Sequence, residues 1–246
     1  MEKRERRIIM KKRPGGELAT RPLHFIWLAD CSVSMQSNGK IDALNQAIRE
    51  AIPHMRRVAD ENPNAEVLVR AIKFSSGAEW HIADPTPIDT FEWDNLTCTG
   101  VTDMGKAFDL LSEELKIPPM SERALPPVLV LISDGQPTDE YKTALDRLLK
   151  MPWGTKAVRV AIAIGRATNK RVLSEFINNP NVEPLQADNA EALVEYIRWV
   201  STAVLQAASS PASQMEDSLS GNQPTNVIIP DFPEDFWDSI SVADVW

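Results

Sequence analysis

An apolar run at residues 23–29 stops abruptly at Asp30, and hydroxyls follow at alternate positions, Ser32 and Ser34. A second apolar run, residues 128–133, ends on Asp134-Gly135. A third stretch, TCTGVTDMG, sets Thr97, Thr99, Thr102 and Asp103 ahead of a helical pattern. Two carboxylates and several neutral hydroxyls are hard oxygen donors. Mg²⁺ gathers about six of these at roughly 2.1 Å and keeps some waters. Hydroxyls leave part of the ion's charge uncompensated, so such a centre stays electrophilic and can take an outside carboxylate as its last ligand. Asp-x-Ser at a strand end can also be no more than an Asx-turn or a helix N-cap. The addition of a threonine before a helix and an Asp-Gly after a second buried strand is what points to a cation. Cys31 lies at an alternate position of its loop and points away from that set.

Such residues must be positioned by a scaffold, and the chain alternates strand and helix from about residue 23 to 207. Apolar runs at 23–29 and 128–133 read as strands buried on both faces. Residues 65–74 and 156–165 read as further strands, 182–185 as a short one, and 77–82 as an antiparallel edge strand paired to 65–74. Helical spacing covers 40–60, where Ile41, Leu44, Ile48, Ile52 and Met55 share a face and Pro53 predicts a kink or break. Helices are also expected at 102–115, 139–150, 169–178 and 188–208, the last with Asp188 as N-cap. Pro85 and Pro87 mark a loop. This order predicts an α/β fold: a doubly wound, mostly parallel open sheet with one antiparallel edge strand and helices on both faces. In such sheets ligands bind at the carboxyl ends of strands, near the point where strand order reverses. That rule gathers Asp30, Ser32, Ser34, Thr102 and Asp134 at one end of the sheet.

The chain has 246 residues, 43% hydrophobic and 25% charged, which suits one globular domain with tails. We expect a basic arm at 1–21, the domain at 22–208 and a flexible tail at 209–246. A net charge of −9 argues against nucleic acid as the main partner. No apolar run approaches a membrane span, no secretory signal is evident, and two cysteines make no disulfide framework, so the expected location is the cytoplasm. Beyond Arg198 there is no Lys or Arg, while acids accumulate together with Phe232, Phe236, Trp237 and Trp246. Aromatics among carboxylates suggest a docking peptide, with an inert tail as the alternative, and Asp235 or Asp238 could cap a metal in cis or in a neighbouring molecule.

Other residues carry less. His24, His54 and His81 lack metal-ligand spacing, Gly154 and Gly165 form no phosphate loop, and the tryptophans at 80, 93, 153 and 199 read as packing. Cys31 and Cys98 flank the proposed site as free thiols, with a redox pair as the alternative. A metal-dependent phosphohydrolase of the haloacid-dehalogenase type needs a second Asp two residues after the nucleophile and a clamping Lys. The second position here is Ser32, and no clamping lysine is evident, so no catalytic residue is assigned and the chain reads as non-enzymatic.

Asp30-Cys31-Ser32-Val33-Ser34-Met35, Gly100-Val101-Thr102-Asp103-Met104-Gly105 and Ile132-Ser133-Asp134-Gly135 together resemble the von Willebrand factor A domain and its metal-ion-dependent adhesion site. Within that superfamily the DCS-x-SM and TDMG stretches look like the bacterial TerY-like proteins of tellurite-resistance and stress operons. The resemblance implies a six-stranded sheet and a Mg²⁺ or Mn²⁺ site. Ser32, Ser34 and Thr102 would bind through hydroxyls, and Asp30 and Asp134 directly or through bridging waters. The implied partner is a protein presenting Asp or Glu. By analogy the partners include kinase-like and Ser/Thr phosphatase proteins of one signalling cassette; the alternative is a scaffold that binds through its tail. Val33 stands where glycine is common, so a left-handed backbone there would weaken the site.

Overall fold

The computed structural model describes residues 20–166, 168–209 and 229–232. The elements run β1 (Arg21–Asp30), a 3₁₀ turn (Val33–Gly39), α1 (Lys40–Glu61), β2 (Ala65–Ser75), β3 (Gly77–Pro87), α2 (Met104–Glu114), β4 (Val128–Ser133), α3 (Tyr141–Leu148), α4 (Pro152–Lys156), β5 (Val158–Ile164), α5 (Lys170–Ile177), β6 (Leu185–Ala187), α6 (Ala190–Trp199), a π-turn (Val200–Val204) and α7 (Leu205–Ser209). The six strands form one sheet in the order β3-β2-β1-β4-β5-β6. All pairings are parallel except β2 with β3.

β1 shows why the centre of this sheet is fixed. Leu23, Phe25, Trp27 and Ala29 enter the core shared with α1 and α6, while Ile26 and Leu28 enter the opposite core shared with α2, α3 and α5. Full burial of a Leu, Ile or Phe side chain stabilises by about 1.5–3 kcal/mol, so a slip of one residue would exchange both faces at once. That pattern ends at Asp30. β1 is also where the connections change direction: the chain moves outward to β2 and β3, then crosses to β4 on β1's other side. The crevice between the β1 and β4 carboxyl ends is therefore the switch point.

The structure corrects several boundaries. α1 runs unbroken through Pro53, which sits on its exposed face, where solvent can satisfy the carbonyl left without an N–H partner. β3 continues through Pro85 to Pro87, because an edge strand tolerates residues without an N–H donor. β6 lies at Leu185–Ala187 rather than 182–185; Val182 instead packs against the core beside α5. α6 is capped by Asn189, whose side chain accepts from the Ala192 N–H at 2.8 Å. Asp188 is engaged by Gln186 and Arg166 instead. The helix expected over 188–208 passes through a π-turn at Val200–Val204, and α4, with Pro152 in its first turn and Trp153 buried, was not expected. No helix among the described residues is long and apolar enough to cross a membrane.

Candidate metal centre

Register places the first carboxylate. Ala29 lies beside Ile132 in the parallel β1–β4 pair, so the next residues, Asp30 and Ser133, emerge side by side. Ser133 Oγ donates to Asp30 Oδ2 at 2.6 Å, and the Ser32 N–H donates to Asp30 Oδ1 at 2.8 Å. The loop after β1 then turns as a 3₁₀ segment. Its hydroxyls form a chain: Ser32 Oγ and Ser34 Oγ lie 2.8 Å apart, and Ser34 Oγ donates to Asp134 Oδ1 at 2.6 Å. Asp134 Oδ2 accepts from Lys40 Nζ at 2.6 Å.

Backbone bonds sew the three loops together. The Thr99 N–H donates to the Cys31 carbonyl at 2.8 Å and the Val33 N–H to the Gly100 carbonyl at 3.2 Å. The Thr138 N–H reaches the Thr102 carbonyl at 2.9 Å, and Thr138 Oγ1 accepts from the Thr102 N–H at 3.1 Å. Asp103 faces away from the cluster: its carboxylate accepts from the Gly77 N–H and Thr138 Oγ1. Asp139 accepts from the Gly105 and Lys106 N–H groups at the start of α2. Thr97 and Thr99 are exposed. Gly135 leaves the opening clear. A Cβ there would stand 3.3 Å from Thr102 Oγ1 and 3.8 Å from Asp30 Oδ2, which also shows how near those two oxygens lie to the same point.

Asp30, Ser32, Thr102 and Asp134 are buried, whereas Ser34 is exposed. Burial is the largest influence on the Asp30 carboxyl and raises its pKa; the hydrogen bonds from Ser133 and Ser32 pull it down, and the neighbouring Asp134 charge pushes it up again. Val33 carries no backbone strain. The positive-φ residues of its loop are Asn38 and Gly39, types that tolerate that conformation, so the left-handed backbone considered for Val33 does not fall there. Its side chain, like that of Val101, is half exposed. Cys31 and Cys98 are free thiols, and burial pushes them up to about 12 and about 11.

The donor chemistry fits a hard divalent cation. Two carboxylates and three hydroxyls face one crevice, and no imidazole or thiolate joins them. Among the described residues no group of three His, Cys, Asp or Glu side chains could hold a metal, so hydroxyls must complete any such centre. Sequence reasoning missed Ser133 and Lys40, which fix the two carboxylates, and Thr138 and Asp139, which hold the threonine loop. Ser133 was legible in principle as the last residue of an apolar strand beside Asp30. The reach of Lys40 across 94 residues was not.

The fold is that of a von Willebrand factor A domain. Solved structures with the same architecture include the VWA2 paralog of ArnB from Sulfolobus acidocaldarius, at 17% identity and TM-score 0.55 over 74% of this chain and 45% of that one. A von Willebrand factor type A protein from Catenulispora acidiphila matches at 16% identity and TM-score 0.56, over 76% of this chain and 43% of that one. Proximal thread matrix protein 1 of the mussel byssus, solved with a zinc-occupied MIDAS motif, matches at 17% identity and TM-score 0.56, over 74% of this chain and 48% of that one. The chain thus spans less than half the length of each. No family model matches, and no curated protein matches.

Proposed function

We propose that the chain is a metal-dependent protein-binding module, without catalytic activity, whose partner supplies an Asp or Glu. The observation that carries this reading is the run of oxygens from Ser32 through Ser34 to Asp134, with Asp30 and Thr102 beside it, drawn from three loops at the sheet's switch point. Asp30, Ser32, Ser34, Thr102 and Asp134 would hold Mg²⁺ or Mn²⁺. The ion would supply an electrophilic position for the partner's carboxylate. The exposed side chains of Val33 and Val101 stand on the two loops joined at Val33 N–H and Gly100 carbonyl, and offer apolar contact beside that position. The zinc-occupied MIDAS of the mussel protein supports a divalent ion on this fold. The TerY-like motifs support an assembly role in a bacterial stress cassette, in the cytoplasm, with kinase-like and phosphatase partners.

Peptide display on the immobilised full chain in Mg²⁺ tests this. Recovered peptides should share an acidic residue and elute with EDTA. Recovery of chelator-insensitive peptides without a common Asp or Glu would overturn the reading.

The described tail residues pack on the domain itself, which favours a tail docked in cis over one that reaches a partner. Phe232 packs edge-on against Tyr196 and Trp199, with ring centroids 4.9 and 5.7 Å apart. Asp235 and Asp238, considered as metal caps, lie outside the described residues, as do residues 1–19 of the basic arm expected at 1–21, whose last residue, Arg21, instead opens β1.

A further inference from the structure

Lys40 stands where a lysine is locally unfavourable. It is the first residue of α1, whose N-terminal end carries partial positive charge, and Gly39 before it provides no side-chain cap. It nevertheless turns toward the crevice and is largely covered: its side chain is 14% exposed, and that of its partner Asp134 is 1% exposed. Ordering a lysine in this way sacrifices rotamer entropy that a surface position would keep. What offsets both costs is the need of two buried carboxylates, Asp30 and Asp134, linked through the Ser32 N–H and the hydroxyls of Ser32 and Ser34, for a counter-charge. The ammonium meets that need at 2.6 Å from Asp134 Oδ2.

From this geometry we infer that Lys40 is a built-in counter-ion that competes with the divalent cation for Asp134. The inference rests on the reading of the crevice as a cation centre. Without the ion, Lys40 neutralises Asp134 and holds the loop after β4 against the start of α1. With the ion bound, Asp134 turns its charge to the cation, and the ammonium, repelled by two positive charges, withdraws toward solvent. Lys40 therefore sets the concentration at which the site fills: with the ammonium withdrawn into solvent at roughly 6 Å, its remaining repulsion of a divalent ion in a water-like dielectric costs about tenfold in affinity. The bound and free states also differ in where α1 is anchored.

The test is calorimetric titration of the full chain with MgCl₂, comparing native protein with Lys40→Met and Lys40→Arg. Lys40→Met should bind about tenfold more tightly, and Lys40→Arg should stay within about threefold of native. A folded Lys40→Met with native or weaker affinity would overturn the inference. An amine-labelling experiment on native protein, read by mass spectrometry with the exposed Lys116 as reference, avoids any dependence on the variant folding. Lys40 should label several-fold faster in saturating Mg²⁺ than in EDTA; equal rates overturn the counter-ion role. Metal binding with unmoved Lys40 reactivity defeats this inference alone, whereas no metal binding by the native chain defeats the cation centre and this inference together.

Discussion

Replacing Asp30 by Asn should move stability in opposite directions with and without metal. Asp30 is fully buried, and its carboxylate carries a charge that burial disfavours. Asparagine preserves the shape. Its carbonyl oxygen can still accept the Ser32 N–H now held at 2.8 Å, and its amide can donate to Ser133 Oγ, which already accepts from the Gly135 N–H at 3.2 Å. The Ser133 hydrogen, which donates to Asp30 at 2.6 Å in the native chain, then loses its partner. That loss costs about 1 kcal/mol, against a larger relief from removing a desolvated charge, so the metal-free variant should be as stable as native or more so by about 1 kcal/mol. In the native chain, Mg²⁺ at about 100 times its dissociation constant adds about 2.7 kcal/mol. For a domain of this size that is a rise of roughly 5–10 °C in Tm, and Asp30→Asn should abolish it. Thermal unfolding with EDTA and with saturating Mg²⁺ reads both effects in one series. A variant several kcal/mol less stable in EDTA would show that Asp30 is a structural hub. A variant that keeps the full Mg²⁺ shift would show that its charge is not part of a cation site.

His24 is buried, its Nδ1 has no hydrogen-bond partner, and its pKa is lowered to about 4, first by burial and then by Arg70. The unfolded chain therefore binds the extra proton between pH 6.5 and 4, so urea-unfolding free energy should fall through that window by up to about 3 kcal/mol, and His24→Phe should flatten the fall. Asn45 is buried and binds the Trp93 indole N–H, the Leu96 N–H and the Leu96 carbonyl. Asn45→Leu strands all three and should lower stability by about 3 kcal/mol or more in the same assay, with faster amide exchange at Leu96. Phe232→Ala removes two edge-on aromatic contacts and should cost about 1–2 kcal/mol while leaving Mg²⁺ affinity unchanged by calorimetry.

The sheet was legible because its central strands are continuous apolar runs bounded by polar residues, as at 23–29 and 128–133. What escaped depended on neighbours in space. Pro53 reads as a break unless one knows that it faces solvent. Pro85 and Pro87 read as a loop after the edge strand expected at 77–82, because their types do not show that the edge runs on through them. Asn189 and Asp188 are equivalent N-cap candidates until Arg166 and Gln186 engage the aspartate. At the crevice, the oxygens on each loop could be read from their positions after apolar strands. The residues that hold them could not, because the contacts of Ser133 with Asp30 and of Lys40 with Asp134 span 103 and 94 residues. Val33 is instructive in another way: the left-handed turn that its loop needs falls at Asn38 and Gly39 instead.

Mn²⁺ binding followed by electron paramagnetic resonance on the full chain, with one variant from each loop, tests the central claim most directly. Native protein should bind one ion, and Ser34→Ala, Thr102→Val and Asp134→Asn should each weaken it by about tenfold or more. No stoichiometric binding by native protein, or native affinity in any one of the three variants, would contradict a centre shared by those loops.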